Sequence, residues 1–217
     1  DKTGCPIFAP SAEAAVIANP ILNTSLLFGA YPPKELTRIR YLYARGCRVT
    51  GPSDPAFPRE LELIPLPGHS VGMTAVRTPD GILFAADAVV NETAWKKGGA
   101  PYLFHVKESL ASLDQLEQTP ANLYIPSHTE PVANISPLVQ QNRERIFSTR
   151  DCLFSMLTAP VAFDDLLSRF ALSHDLRLDL FRYAILGSTL RSYLSWMMDE
   201  GLISASEKDG KCCFYAV

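Results

Sequence analysis

Apolar and polar positions alternate in two distinct periods along this chain. Between residues 60 and 86 the apolar side chains come in short runs separated by turn formers, which predicts strands over 60–65, 74–78 and 82–86. Pro79-Asp80-Gly81 supplies the tight turn between the last two. From residue 106 the period lengthens: Leu110, Leu113 and Leu116 recur at helical spacing, predicting an amphipathic helix over 106–117. A strand over 122–126 follows, then one or two helices between 135 and 158. Nearer the start, a short strand at 6–10 leads to a helix over 12–18, with Ser11 as its cap and Glu13 in its first turn. The proline-studded stretch 19–33 reads as a loop, suited either to form a lip around a site or simply to cross the surface. A second helix is expected over 34–45, stopped by Gly46.

Beyond residue 158 the pattern becomes helical. Helices are predicted over 163–170, 177–186 and 188–200, the last capped by Ser188 and closed by Gly201. Strands over 202–205 and 211–217, joined at Asp209-Gly210, complete the order of a winged helix. Such a module invites a DNA-binding reading, but the charges oppose it. The third helix offers Arg191 alone and ends in Asp199-Glu200, and across 152–217 acids outnumber bases. Phosphate-backbone binding rests on several cationic contacts, and here Lys208 and Lys211 on the wing are the main additions. Tyr193, Trp196, Met197 and Met198 suit that helix to packing, on the rest of the chain or on a second copy. A nucleic-acid partner is therefore not expected, and a homodimer is.

Composition narrows the class further. With 217 residues, 47% hydrophobic and 20% charged, the chain can bury a sizeable core as one large domain or two modest ones. A net charge of −3 argues against a broad nucleic-acid footprint. The longest apolar runs are far too short to span a bilayer, and no charged-then-apolar leader opens the chain. The five cysteines show no paired spacing and read as reduced thiols in a cytoplasmic protein. Cys212 and Cys213 are adjacent in a predicted strand, so they point to opposite faces and are poorly placed to share a metal.

The candidate chemistry sits in three segments: Pro67-Gly68-His69-Ser70, Phe84-Ala85-Ala86-Asp87-Ala88 and Ile125-Pro126-Ser127-His128. Each sets one metal-ligand residue at the end of an apolar, strand-like run. Imidazole nitrogen and carboxylate oxygen both suit zinc or another borderline cation. A lone histidine is more often a packed or surface residue, and His105 and His174 read that way. Asp87 is harder to explain blandly, because a carboxylate ending a buried strand is costly without a cation partner.

The order His69, Asp87, His128, at separations of 18 and 41 residues, resembles the C-terminal half of the metallo-β-lactamase superfamily. Within it the chain looks most like glyoxalase-II-like and lactamase-like hydrolases that append a winged-helix-like module. The resemblance implies an α/β fold: the αββα sandwich without its N-terminal portion over 1–150, then the module over 151–217. It also implies zinc as cofactor, one or two ions, with iron or manganese as substitutes. His69 matches the later histidine of the family's site, Asp87 the bridging aspartate and His128 the last histidine. The opening Asp1-Lys2-Thr3-Gly4-Cys5 resembles the tail of the family's His-x-His-x-Asp-His motif. Asp1 would then be a metal ligand that also orients or deprotonates water, and Lys2, where a histidine is usual, a binder of substrate anions. The His-x-His pair and the N-terminal strands are expected to precede this stretch. The implied function is metal-dependent hydrolysis of a small ester, thioester or phosphodiester. The alternative is a non-catalytic binding or assembly protein with a degraded site, and a winged-helix regulator is the third reading.

Overall fold

The computed structural model describes residues 3–217. Its first sheet contains β1 (Glu62–Pro65), β2 (Thr74–Arg77), β3 (Ile82–Val90) and β4 (Leu123–His128), in that spatial order. The first three pair antiparallel through tight connections, whereas β3 and β4 run parallel. A parallel pair needs a long crossover. Here it contains α4 (Glu92–Gly98) and α5 (Val106–Gln118). The periodic apolar face of α5 is buried as expected, with Val106, Leu113 and Leu116 almost fully enclosed.

After β4, α6 (Ser136–Ser155) runs as one helix, followed by β5 (Val161–Ala162) and α7 (Phe163–Ser173). The second sheet orders β5 beside β7 (Lys211–Ala216) and β7 beside β6 (Ile203–Lys208), all antiparallel. Between α7 and this hairpin lies α8 (Leu180–Asp199), a single helix where two were predicted. Gly187 sits inside it with Leu167 Cδ2 3.6 Å from where a Cβ would point. A Cβ there would make ordinary van der Waals contact with α7, and the helix runs through the glycine without a break. One continuous apolar cluster joins the first sheet to α5, α6, α7 and α8.

Four further expectations fail in the first 60 residues. The predicted loop 19–33 contains α2 (Ile21–Phe28), entered through Pro20 and closed by Gly29 at φ 82°. The predicted helix 34–45 shortens to α3 (Lys34–Thr37). The reason is a contact with α2: Asn23 Nδ2 and Thr24 Oγ1 both donate to the Leu42 carbonyl, at 3.0 and 2.9 Å. That carbonyl is fixed against α2, and turns replace the helix. The strand expected at 6–10 reduces to one bridge between Phe8 and Thr50. The helix after it, α1 (Ser11–Ala18), forms as predicted, although Pro10 and not Ser11 occupies the cap.

Candidate metal centre

His69, Asp87 and His128 come together at one end of the first sheet, where local departures from regular backbone place them. His69 lies in the turn after β1. Gly68 before it has φ 130°, and a Cβ there would fall 2.3 Å from Ser109 Oγ and 2.5 Å from the Ser109 backbone nitrogen. Only glycine allows α5 to approach this closely. The Gly68 carbonyl accepts from the backbone N–H groups of Phe104 and His105, at 2.8 and 2.9 Å. On the other side Glu13 of α1 accepts from Ser70 Oγ and the Gly72 N–H, both at 2.8 Å. The turn is held between two helices.

The sequence pattern ends the strand at Ala86, just before Asp87, yet β3 continues to Val90. Ala86 pairs with Pro126 and Val90 with His128, so β3 spends more residues than β4 over the same span. This bulge turns Asp87 toward the histidines. Ala86 takes a left-handed conformation, φ 49°, which costs a residue with a Cβ roughly 1–2 kcal/mol. Such strain gathers at functional sites. Buried Asn142 of α6 clamps the end of the distorted strand, accepting from the Val90 N–H at 3.1 Å and donating to the Val90 carbonyl at 2.9 Å. Asn91 Nδ2 donates to the His128 carbonyl at 2.6 Å.

Asp87 lies between the two rings: its Oδ1 is 3.1 Å from His128 Nε2 and its Oδ2 is 3.8 Å from His69 Nε2. Asp87 Oδ1 is buried without a hydrogen-bond partner, the nearby imidazole nitrogen lying off the direction a hydrogen bond requires. Burial holds the His69 pKa below the usual histidine value, with Asp87 and the Tyr102 backbone opposing that shift. A neutral ring offers its lone pair to a metal. Buried carboxylate oxygens normally have donors or a cation. An orphaned carboxylate oxygen facing two imidazoles fits a borderline cation such as zinc. Among the described residues, no set of three or more His, Cys, Asp or Glu side chains is gathered tightly enough to hold a metal ion alone. Two imidazoles and one carboxylate are brought together here, which is fewer donors at metal-holding distance than a closed site has. Asp1 and Lys2, assigned to the site from sequence, lie outside the described residues.

A cavity of about 390 Å³ opens over these side chains, also lined by Tyr102, Phe181 and Arg182. The Tyr102 ring meets His69 edge-on at 5.5 Å, and burial raises its phenol pKa. Arg182 comes from the first turn of α8, where Asp179 caps the helix by accepting from the Arg182 N–H at 2.8 Å. Its Nη1 lies 3.8 Å from Asp179 Oδ2 and donates to the Arg177 carbonyl at 3.3 Å. Tyr102, Asn142, Phe181 and Arg182 escape a reading of the sequence, because only the tertiary arrangement brings them here. The capping pattern Asp179-x-x-Arg182 is the one local signal. His105 is the cap of α5, its Nδ1 accepting from the Glu108 N–H, and His174 stacks on Phe170 at 4.2 Å. Neither joins the centre.

No protein-family model matches the chain, and no curated protein sequence does. Among solved structures it is similar to a metallo-beta-lactamase family protein from Thermus thermophilus. Identity is 18%, over 99% of this chain and 72% of that one, with a TM-score of 0.68. It is also similar to a beta-lactamase domain protein from Burkholderia ambifaria. There identity is 16%, over 98% of this chain and 66% of that one, with a TM-score of 0.65. The sheet, its helices and the segments that bring His69, Asp87 and His128 together thus belong to a chain with the metallo-beta-lactamase fold.

Proposed function

We propose that this protein is a metal-dependent hydrolase of the metallo-β-lactamase superfamily, acting on a small ester, thioester or phosphodiester. The observation that carries the reading is Asp87 set between two histidines at a sheet end, its buried Oδ1 3.1 Å from His128 Nε2 without an aligned hydrogen bond. His69, Asp87 and His128 would hold one or two zinc ions, or iron or manganese, together with Asp1. A bound cation of this kind brings the pKa of coordinated water toward neutrality and polarises a carbonyl or phosphoryl oxygen. The chain's own residues do the rest. Burial keeps His69 neutral and fit to ligate. Arg182, across the cavity, orients an anionic group of the substrate by its planar donor face. Phe181 and Tyr102 give the apolar body of the substrate a wall and keep bulk water away. Asp1 would orient the attacking water and Lys2 would meet a substrate anion.

The stretch after residue 150 is read as a winged-helix-like module that closes the substrate pocket. Arg191 supports this over DNA binding, because its guanidinium lies on the Phe163 ring, 3.9 Å from the centroid. Tyr193, Trp196 and Met197 are buried within the chain. The remaining apolar exposure, Met198 among it, would serve a homodimer. Among the described residues no helix is long and apolar enough to cross a membrane, and the cysteines are free. The proposal includes a cytoplasmic location, on the unpaired spacing of the cysteines in the sequence. A second reading, a binding protein without hydrolysis, rests on Lys2 standing where the family motif has a histidine.

Elemental analysis beside a thioester and phosphodiester screen tests both readings. About one or two metal ions per chain, lost in His69→Ala and Asp87→Ala together with turnover, supports the hydrolase. Folded, metal-free protein without turnover after zinc loading supports the second reading.

A further inference from the structure

Trp95 lines a narrow space of about 20 Å³ behind His69 and Asp87, and also a second, larger cavity of about 470 Å³. The size of the larger one suits a small molecule. One wall is a stripe of α6: Arg145, Ser148, Thr149 and Cys152 stand at i, i+3, i+4 and i+7 and so share a helix face. The opposite wall is the end of α7, with Ser173 and His174. Gly99 fixes the gap between them. Its φ is 72°, and a Cβ there would meet Leu176 Cδ1 at 2.8 Å, so the chain after α4 lies directly against the α7 terminus.

The polar chemistry of this cavity is one-sided. Its lining holds an ammonium, a guanidinium, three hydroxyls, a thiol and an imidazole, with no carboxylate among the described residues. The two cations, Lys96 and Arg145, share Glu92 at 3.1 and 3.3 Å, so one negative charge answers two positive ones. The indole Nε1 of Trp95 is buried without a hydrogen-bond partner, on a side chain only 4% exposed. His174 Nδ1 lies 2.9 Å from the Phe170 carbonyl, which can only accept. The same nitrogen is 3.0 Å from Ser173 Oγ, so the ring is tied to the end of α7. A guanidinium beside an ammonium and several hydroxyls is the donor set that binds tetrahedral oxyanions.

We infer that this cavity is a second binding site, for the phosphate group of a small molecule, held between Arg145, Lys96 and Ser148. It does not depend on the hydrolase reading. The test is calorimetric titration of the metal-free 217-residue chain at fixed ionic strength, with inorganic phosphate and separately with glycerol 3-phosphate. One saturable site per chain is expected, and tighter binding of the ester identifies a phosphorylated metabolite rather than free phosphate as the occupant. Arg145→Gln should weaken binding about tenfold or more, since a charge-assisted, two-pronged contact is lost. Glu92→Gln should tighten it several-fold by freeing both cations, an effect that loss of structure would not produce. His69→Ala should leave it unchanged. The inference is overturned if neither probe saturates, if Arg145→Gln binds like the parent, or if His69→Ala abolishes binding and so assigns it to the first cavity.

Discussion

The two halves of this molecule hold the candidate centre by different means. The first sheet supplies the candidate ligands and fixes them through backbone geometry: Gly68 at φ 130°, Ala86 at φ 49°, and the bulge between Ala86 and Val90. The ligand side chains themselves are only half-buried or exposed. The C-terminal half supplies Phe181 and Arg182 and holds them by ordinary packing, since Leu166, Phe170, Leu190 and Tyr193 are wholly enclosed. Strained backbone fixes a side chain within a fraction of an ångström but tolerates little change. A packed helix face tolerates repacking and holds its residues less tightly. Precision should therefore reside in the sheet and stability in the helices.

The largest effect expected is on chemistry, in Asp87→Ala. Loss of an outer partner of a metal ligand costs roughly 10–100-fold in affinity or activity, and removing the ligand itself should exceed that. Measured metal content and turnover should collapse while the unfolding free energy stays within about 1 kcal/mol of the parent, because Asp87 Oδ1 makes no hydrogen bond to lose. A large fall in stability would mean that the carboxylate is a structural residue.

Gly68→Ala and Leu190→Ala set the halves side by side. The first drives a methyl group into the Ser109 backbone and should cost about 3 kcal/mol or more from strain and overpacking. Leu190→Ala removes a fully buried side chain of α8 and should cost about 2–5 kcal/mol. The stabilities are then comparable, but the sites are not. Zinc affinity of the folded fraction should fall in Gly68→Ala and stay level in Leu190→Ala. Equal loss of affinity in both would dissolve the division between the halves. Arg182→Ala sharpens it from the other side, raising KM about tenfold for an anionic substrate and leaving a neutral analogue unaffected.

The readable part of this molecule is the part that repeats. Strands β1 to β4 and helix α5 follow from apolar period alone, and His69, Asp87 and His128 stand out because apolar runs lead directly to them. What stays hidden depends on neighbours distant in sequence. Helix α2 is obscured by Pro20 and by the polar Asn23-Thr24-Ser25, two of which turn out to hold the Leu42 carbonyl. The continuity of α8 is obscured by Gly187, which the helix simply runs through. Arg182 lies 95 residues beyond Asp87 in the sequence, and nothing local says that α8 begins beside the ligands. The second cavity is invisible for the same reason: its α6 stripe looks like a solvated helix face until α4 and α7 close on it.

The smallest effect is the most specific to the sheet half. Ala86 holds its left-handed conformation at a cost of roughly 1–2 kcal/mol, and glycine there would remove it. The same change frees the unfolded chain, which costs about 0.5–1 kcal/mol. Ala86→Gly should therefore shift stability by about 0–1.5 kcal/mol, in the stabilising direction. Ala86→Val should move the other way by about 1–2 kcal/mol, because a β-branched side chain fits the left-handed region worst. Urea unfolding midpoints of the pair measure both. If glycine stabilises while zinc affinity falls, the strain at Ala86 is what aims Asp87, and relaxing it unfixes the ligand. If glycine stabilises and zinc affinity holds, the bulge and the Asn142 clamp fix Asp87 by themselves.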